Sequence, residues 1–239
     1  MTDETLKTAS PAPPDGDRVA LSRARILDAA LQIVDAEGLE ALSMRRLGAA
    51  LGVEAMSLYH HFASKEEVLH GLVVAVLGRV PLPEAVPLDW REAVRDGFIA
   101  FRQVMLAHPA VFPLVSSKPA TDGESLMPVA RAYAVLEAAG FDPRGVASAF
   151  NTLLSYAFGF IQCEISGVST ATQGEEMLRL VREQAGSDFA ALRTAQPVLR
   201  DWDADAEFAI GLDVVIAGLC ARLACAAGSP GAGRNDVSR

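Results

Sequence analysis

Apolar residues recur along this chain at spacings of three and four, and no segment shows a sustained alternation of apolar and polar residues. Such a spacing lines one face of an α-helix, whereas a half-buried β-strand needs strict alternation. The first stripe contains Ile26, Ala29, Ala30, Ile33 and Val34. We therefore predict an all-α protein. With 239 residues, 51% of them apolar, the chain is long enough to bury the cores of a small module and a larger one.

Two short helices joined by a glycine turn are predicted between residues 43 and 61. Ser43 can cap the first helix by accepting a hydrogen bond from a backbone amide, and Gly52 supplies the positive φ that a tight turn requires. The second helix, predicted over 54–61, carries Ser57 and Tyr59. These dimensions are typical of a DNA-reading helix-turn-helix, although many helical cores also contain a glycine turn.

Capping and helix-breaking residues predict the helices that follow. Ser64 and Glu67 form a predicted capping box that starts a connecting helix, and Pro81 ends it. Pro109 and Pro113 break the next pattern. Further helices are predicted over about 90–107, 125–139, 142–166 and 204–227, from apolar periodicity and caps such as Asp142 followed by Pro143.

The formal net charge of −9 argues at first against a nucleic-acid partner, because affinity for phosphate comes largely from Lys and Arg. From residue 18 to residue 67, however, six basic residues nearly balance seven acidic ones. Most of the negative charge lies elsewhere, and binding depends on local patches. The charge distribution therefore permits DNA binding without establishing it.

Several other classes of protein are disfavoured. The three cysteines are an odd number among apolar neighbours, which favours a reducing cytoplasm. Charge, Pro or Gly interrupts every apolar segment before about 18 residues, so no membrane partner is expected. No phosphate-cradling glycine loop, nucleophile elbow or metal-ligand spacing of histidines occurs. We expect a cytoplasmic protein that is not an enzyme and uses no cofactor or metal.

From Leu21 to Leu77 the sequence resembles the TetR family. The resemblance is carried by Leu42-Ser43-Met44-Arg45-Arg46-Leu47, Leu51-Gly52-Val53, Leu58-Tyr59-His60-His61-Phe62 and the lysine three residues later, Lys65. The segment from Phe208 to Leu219 resembles the tetracycline-repressor-like C-terminal domain, and Trp90 and Phe101 fit that branch. The implied organisation is a flexible arm at 1–17, a helix-turn-helix DNA-binding domain at 18–64, a connecting helix at 65–80, a ligand-binding and dimerisation domain at 81–228 and a flexible tail at 229–239.

The resemblance also implies a DNA-binding surface. Its residues are Arg45, Ala55, Met56, Ser57, Tyr59, His60 and Lys65. The residues that begin the second helix would contact base edges, and Tyr59, His60 and Lys65 would hold phosphates. Arg45 would reach a base or a phosphate. Met56 is an unusual reader of bases, so part of the specificity is expected to come from DNA shape.

A ligand pocket is expected between the helices of the larger domain. Its predicted residues are Phe101, Met105, His108, Phe112, Met127, Phe150, Asn151, Leu154 and Ser155. For each of these side chains, ordinary packing in the hydrophobic core is the alternative interpretation. Pro81 and Gly97 occupy the positions of a tetracycline-binding histidine and asparagine, and only the phenylalanine, Phe101, is kept. Recognition of a magnesium-tetracycline complex is therefore not expected.

The family resemblance implies a homodimer built from the helix after Asp142 and the last helix. Gly211 and Gly218 would let these helices approach their partners closely; the alternative is that the helices close only their own core. We predict a ligand-responsive transcriptional repressor that binds a palindromic operator in double-stranded DNA as a dimer and is released by an unknown small-molecule effector. The alternative is a constitutive DNA-binding dimer without an effector.

Overall fold

The computed structural model describes residues 20–81, 89–117, 122–167 and 202–228, together with a few residues between 179 and 194. The expected arm at 1–17, the expected tail at 229–239 and the linker prolines Pro83 and Pro87 lie outside the described residues. Within the described ranges the secondary structure is helical and no residue forms a strand, which confirms the predicted all-α class.

The first domain consists of short helices, each begun by a local cap. They are α1 (Arg23–Glu37), a 3₁₀ turn (Leu39–Ala41), α2 (Met44–Leu51) and α3 (Ala55–Leu58), followed by the connecting helix α4 (Lys65–Leu77). Ser22, Ser43 and Ser64 each accept a hydrogen bond from the amide three residues later. The caps predicted at Ser43 and Ser64 are thus confirmed.

Three details of this domain differ from the prediction. Helix α3 ends at Leu58, and the residues up to His61 continue as turns with bonds from the amide to the carbonyl three residues back. The helical pattern predicts Ala50 on the inward side of α2, but Ala50 is exposed because α2 turns Met44, Leu47 and Gly48 inward instead. The Glu67 carboxylate accepts from the amide of Ala63 and not from that of Ser64, since its other oxygen is held by Arg23.

The second domain contains longer helices. These are α5 (Trp90–Ala107), α6 (Phe112–Ser117), α7 (Gly123–Ala138), α8 (Pro143–Ile165) and α9 (Ala204–Gly228). Helix α6 is absent from the prediction, because Pro109 and Pro113 both interrupt the apolar pattern. Pro113 stands in the first turn of α6, where the amide hydrogen that proline lacks has no helical partner anyway.

One connected hydrophobic core extends through both domains. Helix α8 packs against α5, α7 and α9, while α4 packs against α1 on one side and against α5, α6 and α7 on the other. The connecting helix therefore belongs to both cores. A displacement of α4 would also act on α1, because close-packed interiors transmit strain between neighbouring helices.

An ion cluster centred on the buried Arg102 joins α9 to the rest of the larger domain, although its α9 member, Asp205, is 86% exposed. Arg102 on α5 is 3% exposed and donates to both carboxylate oxygens of Glu164 on α8, at 2.7 and 2.6 Å, and to Asp205 on α9 at 2.7 Å. Its guanidinium carbon also lies 5.2 Å from the ring centroid of Phe208. The hydrogen bonds to Glu164 raise the pKa of Arg102 above its usual range. The cluster joins three helices through one side chain.

Two helices are long and strongly apolar, although charge, Pro or Gly is predicted to interrupt every apolar segment before about 18 residues. Pro143–Ile165 and Ala204–Cys225 each have the length and composition of a membrane span. Both also place residues in the hydrophobic core, among them Leu153, Phe208 and Leu212. A core helix of a soluble protein has the same length and composition, so these features alone do not indicate a membrane.

Candidate DNA interface and effector cavity

The residues predicted to bind DNA lie on α2, on α3 and in the segment from the end of α3 to the start of α4. Beneath it, Leu58 and Phe62 are fully buried and hold the segment to the core. Met56 is 70% exposed, Tyr59 and His60 are exposed, and Ala55, Ser57 and Lys65 are half-buried. Arg45 is exposed on the preceding helix. The structure thus collects these side chains around one short helix, with its apolar side facing inward.

Two glycines shape the turn between α2 and α3, and sequence analysis singled out only one. Gly52 has φ 69°, the left-handed conformation predicted for it. Gly48 was missed: a Cβ at this position would lie 2.9 Å from the carbonyl oxygen of Val53 and 3.2 Å from the amide of Ala55. Its signal was a glycine inside a short helix, where glycine lowers helix stability and so needs a packing reason.

Arg23 ties the start of α1 to the end of the recognition segment. Its guanidinium donates to Glu67 at 2.9 Å and to the carbonyl of His61, and it lies 4.0 Å from the ring centroid of Phe62. The hydrogen bond from the amide of Ala63 and the contact with Arg23 lower the pKa of the Glu67 carboxyl. The loop that joins α3 to α4 is therefore held on two sides.

A cavity of about 300 Å³ lies between α4, α5, α7 and α8 in the larger domain, and Val115 of α6 is also in its wall. Aromatic side chains form much of its wall, namely Phe98, Phe101, Phe150 and Phe158. Polar groups reach it from α4 and α7, namely His70, Ser125 and Arg131. This size and composition are typical of small-molecule sites, which combine apolar walls with a few polar groups.

The structure brings only some of the predicted ligand residues to this cavity. Phe101, Phe150 and Leu154 line it. Met105 and Phe112 are buried in the core but are not part of the wall, and Met127 is exposed. Asn151 and Ser155 lie exposed on the outer side of α8 because each follows a cavity-lining residue by one position, and one position turns a helix by about 100°.

The polar groups of the cavity were missed by sequence analysis. His70 is in register with Val73 and Leu77 on the apolar side of α4, and a titratable residue within an apolar stripe was the available signal. Ser125 was predicted as the start of α7. The helix in fact begins at Gly123, and Ser125 is buried in the wall.

An imidazole–carboxylate contact joins α4 to the start of α7 beside the cavity. The Nε2 atom of His70 contacts the Oδ2 atom of Asp122, while Oδ1 of Asp122 accepts from the amide of Ser125 at 2.7 Å. In return, Ser125 Oγ accepts from the amide of Asp122. The Ser125 amide and the imidazole of His70 together lower the pKa of Asp122 to about 2.

His108, predicted as a ligand residue, lies instead at the junction of the two domains. Arg79, just after α4, donates to His108 Nε2 at 2.7 Å, and His108 Nδ1 lies 2.8 Å from the Asp35 carboxylate on α1. Because arginine only donates, Nε2 of His108 must accept. The ring proton is therefore on Nδ1, which donates a hydrogen bond to the Asp35 carboxylate. This junction triad links α1, the end of α4 and the end of α5.

Comparisons with known proteins agree with this architecture. Residues 26–72 match the model described as bacterial regulatory proteins of the tetR family, and residues 82–223 match the tetracyclin repressor-like C-terminal domain. An HTH-type transcriptional regulator of Saccharopolyspora erythraea is 32% identical over 207 residues, covering 84% of this chain and 85% of that protein. The HTH-type transcriptional repressor DrrR1 of Streptomyces coeruleorubidus is 30% identical, covering 69% of this chain and 61% of its own length.

Among solved structures, apo ActR from Streptomyces coelicolor is similar to this chain, with a TM-score of 0.76 and 28% identity over 86% of this chain and 98% of ActR. The complex of ActR with actinorhodin matches with a TM-score of 0.74 and 27% identity over 86% of this chain and 99% of that one. The family models together span most of the chain, and their two domains coincide with the helix-turn-helix and the cavity-bearing domain. The chain therefore belongs to the TetR family of transcriptional regulators.

Proposed function

We propose that this protein is a cytoplasmic, homodimeric transcriptional repressor that releases a palindromic DNA operator when a small molecule binds in the cavity. The observation that carries the proposal is the position of that cavity. His70, Val73 and Leu77 of α4 form part of its wall, and α4 also packs against α1 of the DNA-binding domain. The repressor DrrR1 and the ligand-bound ActR are similar proteins that support it.

In this proposal the exposed side chains around α3 read and hold the operator. Ala55, Met56 and Ser57 contact base edges in the major groove, while Tyr59, His60 and Lys65 hold phosphates on either side. Arg45 reaches a base or a phosphate from α2. Phosphate contacts fix the register of the protein, and base contacts and groove shape select the sequence.

The proposed dimer interface is formed by the outer faces of α8 and α9. Ile210 is 55% exposed and Val214 is 67% exposed on α9, an arrangement that favours burial against a second copy. Gly218 lies on the same side with nothing within 4 Å of its Cβ position. Gly211 has a different role from the predicted one, because a Cβ there would meet the Tyr156 hydroxyl of the same subunit at 2.0 Å.

A salt titration of operator binding tests the DNA assignment. Operator fragments are first selected from random DNA by binding to the full chain. Lys65→Ala combined with Tyr59→Ala should weaken binding and reduce the slope of log K against log salt by about 2 per dimer, because each protomer loses a charged phosphate contact. Arg91→Ala, at an exposed position on α5, is the control and should leave the slope unchanged.

The outcome that contradicts the DNA assignment is a double variant that remains folded and dimeric and binds as tightly as the parent at every salt concentration. The effector part is tested separately, by screening small molecules for those that change both thermal stability and operator affinity. Failure to find one would favour a constitutive DNA-binding dimer over the regulated repressor.

A further inference from the structure

The wall of the cavity is electrostatically one-sided. Its ionisable side chains are His70 and Arg131, both able to carry positive charge, and Ser125 adds a hydroxyl. No aspartate or glutamate is among the described residues that line the cavity. A buried charge needs an opposite charge or hydrogen-bond partners, so a cationic ligand would find no carboxylate at this wall. An anionic ligand would meet the imidazole of His70, which can donate a hydrogen bond to it.

The remainder of the wall favours aromatic rings. Phe101 and Phe158 lie nearly parallel, with ring centroids 5.9 Å apart and an interplanar angle of 24°. Phe150 stands edge-on to Tyr133 at 5.2 Å. Aromatic side chains of this kind stabilise a planar ligand by offset stacking and edge-to-face contact beyond the area that it buries.

His70 already holds a carboxylate, that of Asp122, and this contact can be exchanged. Asp122 contacts His70 through Oδ2 but caps α7 through Oδ1, so the cap does not require His70. The Asp122 side chain is 43% exposed, which leaves it able to be hydrated if it releases the imidazole. A ligand carboxylate would therefore replace one carboxylate partner of His70 by another, at little cost in unpaired polar groups.

We propose that the effector is a planar aromatic acid whose anionic group displaces Asp122 from His70. The proposal rests on the proposed function of the cavity as the effector site. Its consequence is mechanical: the exchange replaces a bond between α4 and α7 with a bond between α4 and the ligand. Because α4 belongs to both cores, the ligand thereby acts on the helix that adjoins the DNA-binding domain.

Three probes of the same shape and different charge test the ligand class. They are anthracene-2-carboxylate, anthracene-2-carboxamide and 2-(aminomethyl)anthracene, titrated calorimetrically into the full-length dimer. The acid should bind about tenfold more tightly than the amide, since a charge-assisted hydrogen bond contributes more than a neutral one, and the amine should bind most weakly. Equal or tighter binding of the amide or amine, or no binding of any probe, would overturn the proposal.

Variants test whether His70 pairs with the anionic group of the acid. His70→Gln should lower the affinity for the acid by about tenfold while leaving that for the amide unchanged. Asp122→Asn keeps a good capping residue but removes the competing charge, so it should raise the affinity for the acid several-fold. Arg91→Gln, at an exposed position on α5 outside the cavity, should change neither. Equal effects on acid and amide would indicate a merely structural role and overturn the assignment.

Operator binding measured with the same probes separates this proposal from the function on which it rests. If the amide or the amine binds more tightly and releases DNA, the repressor function stands and the acid class fails. If the acid binds as expected through His70 but leaves operator affinity unchanged, the ligand class stands and the cavity is not the site of release.

Discussion

In the DNA-binding domain the helix ends are fixed by Ser22, Ser43 and Ser64, each of which caps an amide three residues along the chain. In the larger domain the corresponding connections are long. Arg102 joins Glu164 and Asp205, which lie 62 and 103 positions away in sequence. The first domain is thus specified mainly by neighbours in the chain, and the second by neighbours only in space.

This difference determines how much stability each domain loses when one interaction is removed. Each local cap or turn contributes about 1 kcal/mol, so its loss shifts one helix end and leaves the rest of the domain in place. Removing a buried charged residue that joins three helices costs more stability, because a buried partner is left without an opposite charge. The following three predictions test this contrast, beginning with the largest expected effect.

Removal of Arg102 should produce the largest loss of stability. Arg102→Ala leaves Glu164, whose side chain is 10% exposed, without its cationic partner, and should lower the free energy of unfolding by about 3–5 kcal/mol. Arg95 on the same helix pairs with Asp213 on α9 at 2.9 Å, but this pair is exposed. Arg95→Ala is the matched control and should cost about 1 kcal/mol or less. Urea denaturation measures both.

A second pair of variants separates the lost charge balance from lost packing. Arg102→Met with Glu164→Met replaces the ion pair by apolar side chains of similar length, and should recover much of the stability lost in Arg102→Ala. A cost for Arg102→Ala as small as that for Arg95→Ala would show that the cluster does not organise the larger domain.

The same contrast explains which features could be predicted from sequence. The residues predicted for the DNA interface come from one continuous segment, 45–65, so chain order alone grouped them. The cavity is assembled from five helices, and periodicity gives the apolar side of each helix without its rotation against the others. That is why Phe150 and Leu154 line the cavity while Asn151 and Ser155, one position further along, lie outside it.

Polar residues on apolar stripes were the signals not used in the sequence analysis. Arg102 lies between Phe98 and Met105 on the buried side of α5, and His70 lies in register with Val73 on α4. A charged or titratable residue is seldom buried unless it is paired. Its position on a stripe therefore indicates a partner in space, although the sequence does not reveal which residue that partner is.

Within the DNA-binding domain we expect Gly48 to be the most sensitive glycine. An added Cβ at Gly48 meets backbone atoms of Val53 and Ala55, so Gly48→Ala should destabilise the protein by about 2 kcal/mol and displace α3. Gly52→Ala meets no atom within 4 Å but adopts φ 69°, and should cost about 1 kcal/mol. Thermal unfolding and operator affinity are measured for both variants.

The sign of the Gly48 result is decisive, because alanine is favoured over glycine in a helix by about 1 kcal/mol. A Gly48→Ala variant that is more stable than the parent, with unchanged operator affinity, would contradict the close approach of α2 to α3. A loss of operator affinity larger than that of Gly52→Ala would confirm that this contact positions the recognition helix.

The smallest expected effect on stability lies where the two domains meet, at the junction triad of Asp35, His108 and Arg79. The His108 side chain is 12% exposed, and its proton is held by a carboxylate on α1 that belongs to the other domain. Asp35→Ala should lower the free energy of unfolding by about 1 kcal/mol, the contribution of one such hydrogen bond.

Its effect on regulation should be larger, because the bond joins the end of α5, which borders the cavity-bearing core, to the helix that carries the DNA-binding domain. An effector weakens operator binding by a certain factor, and Asp35→Ala should make this factor about fivefold smaller. The affinity for DNA alone and the affinity for effector alone should change little. Asp28→Ala, an exposed aspartate on the same helix, is the control. Unchanged coupling in Asp35→Ala would mean that α4 alone transmits the signal and that the domains communicate through packing rather than through this bond.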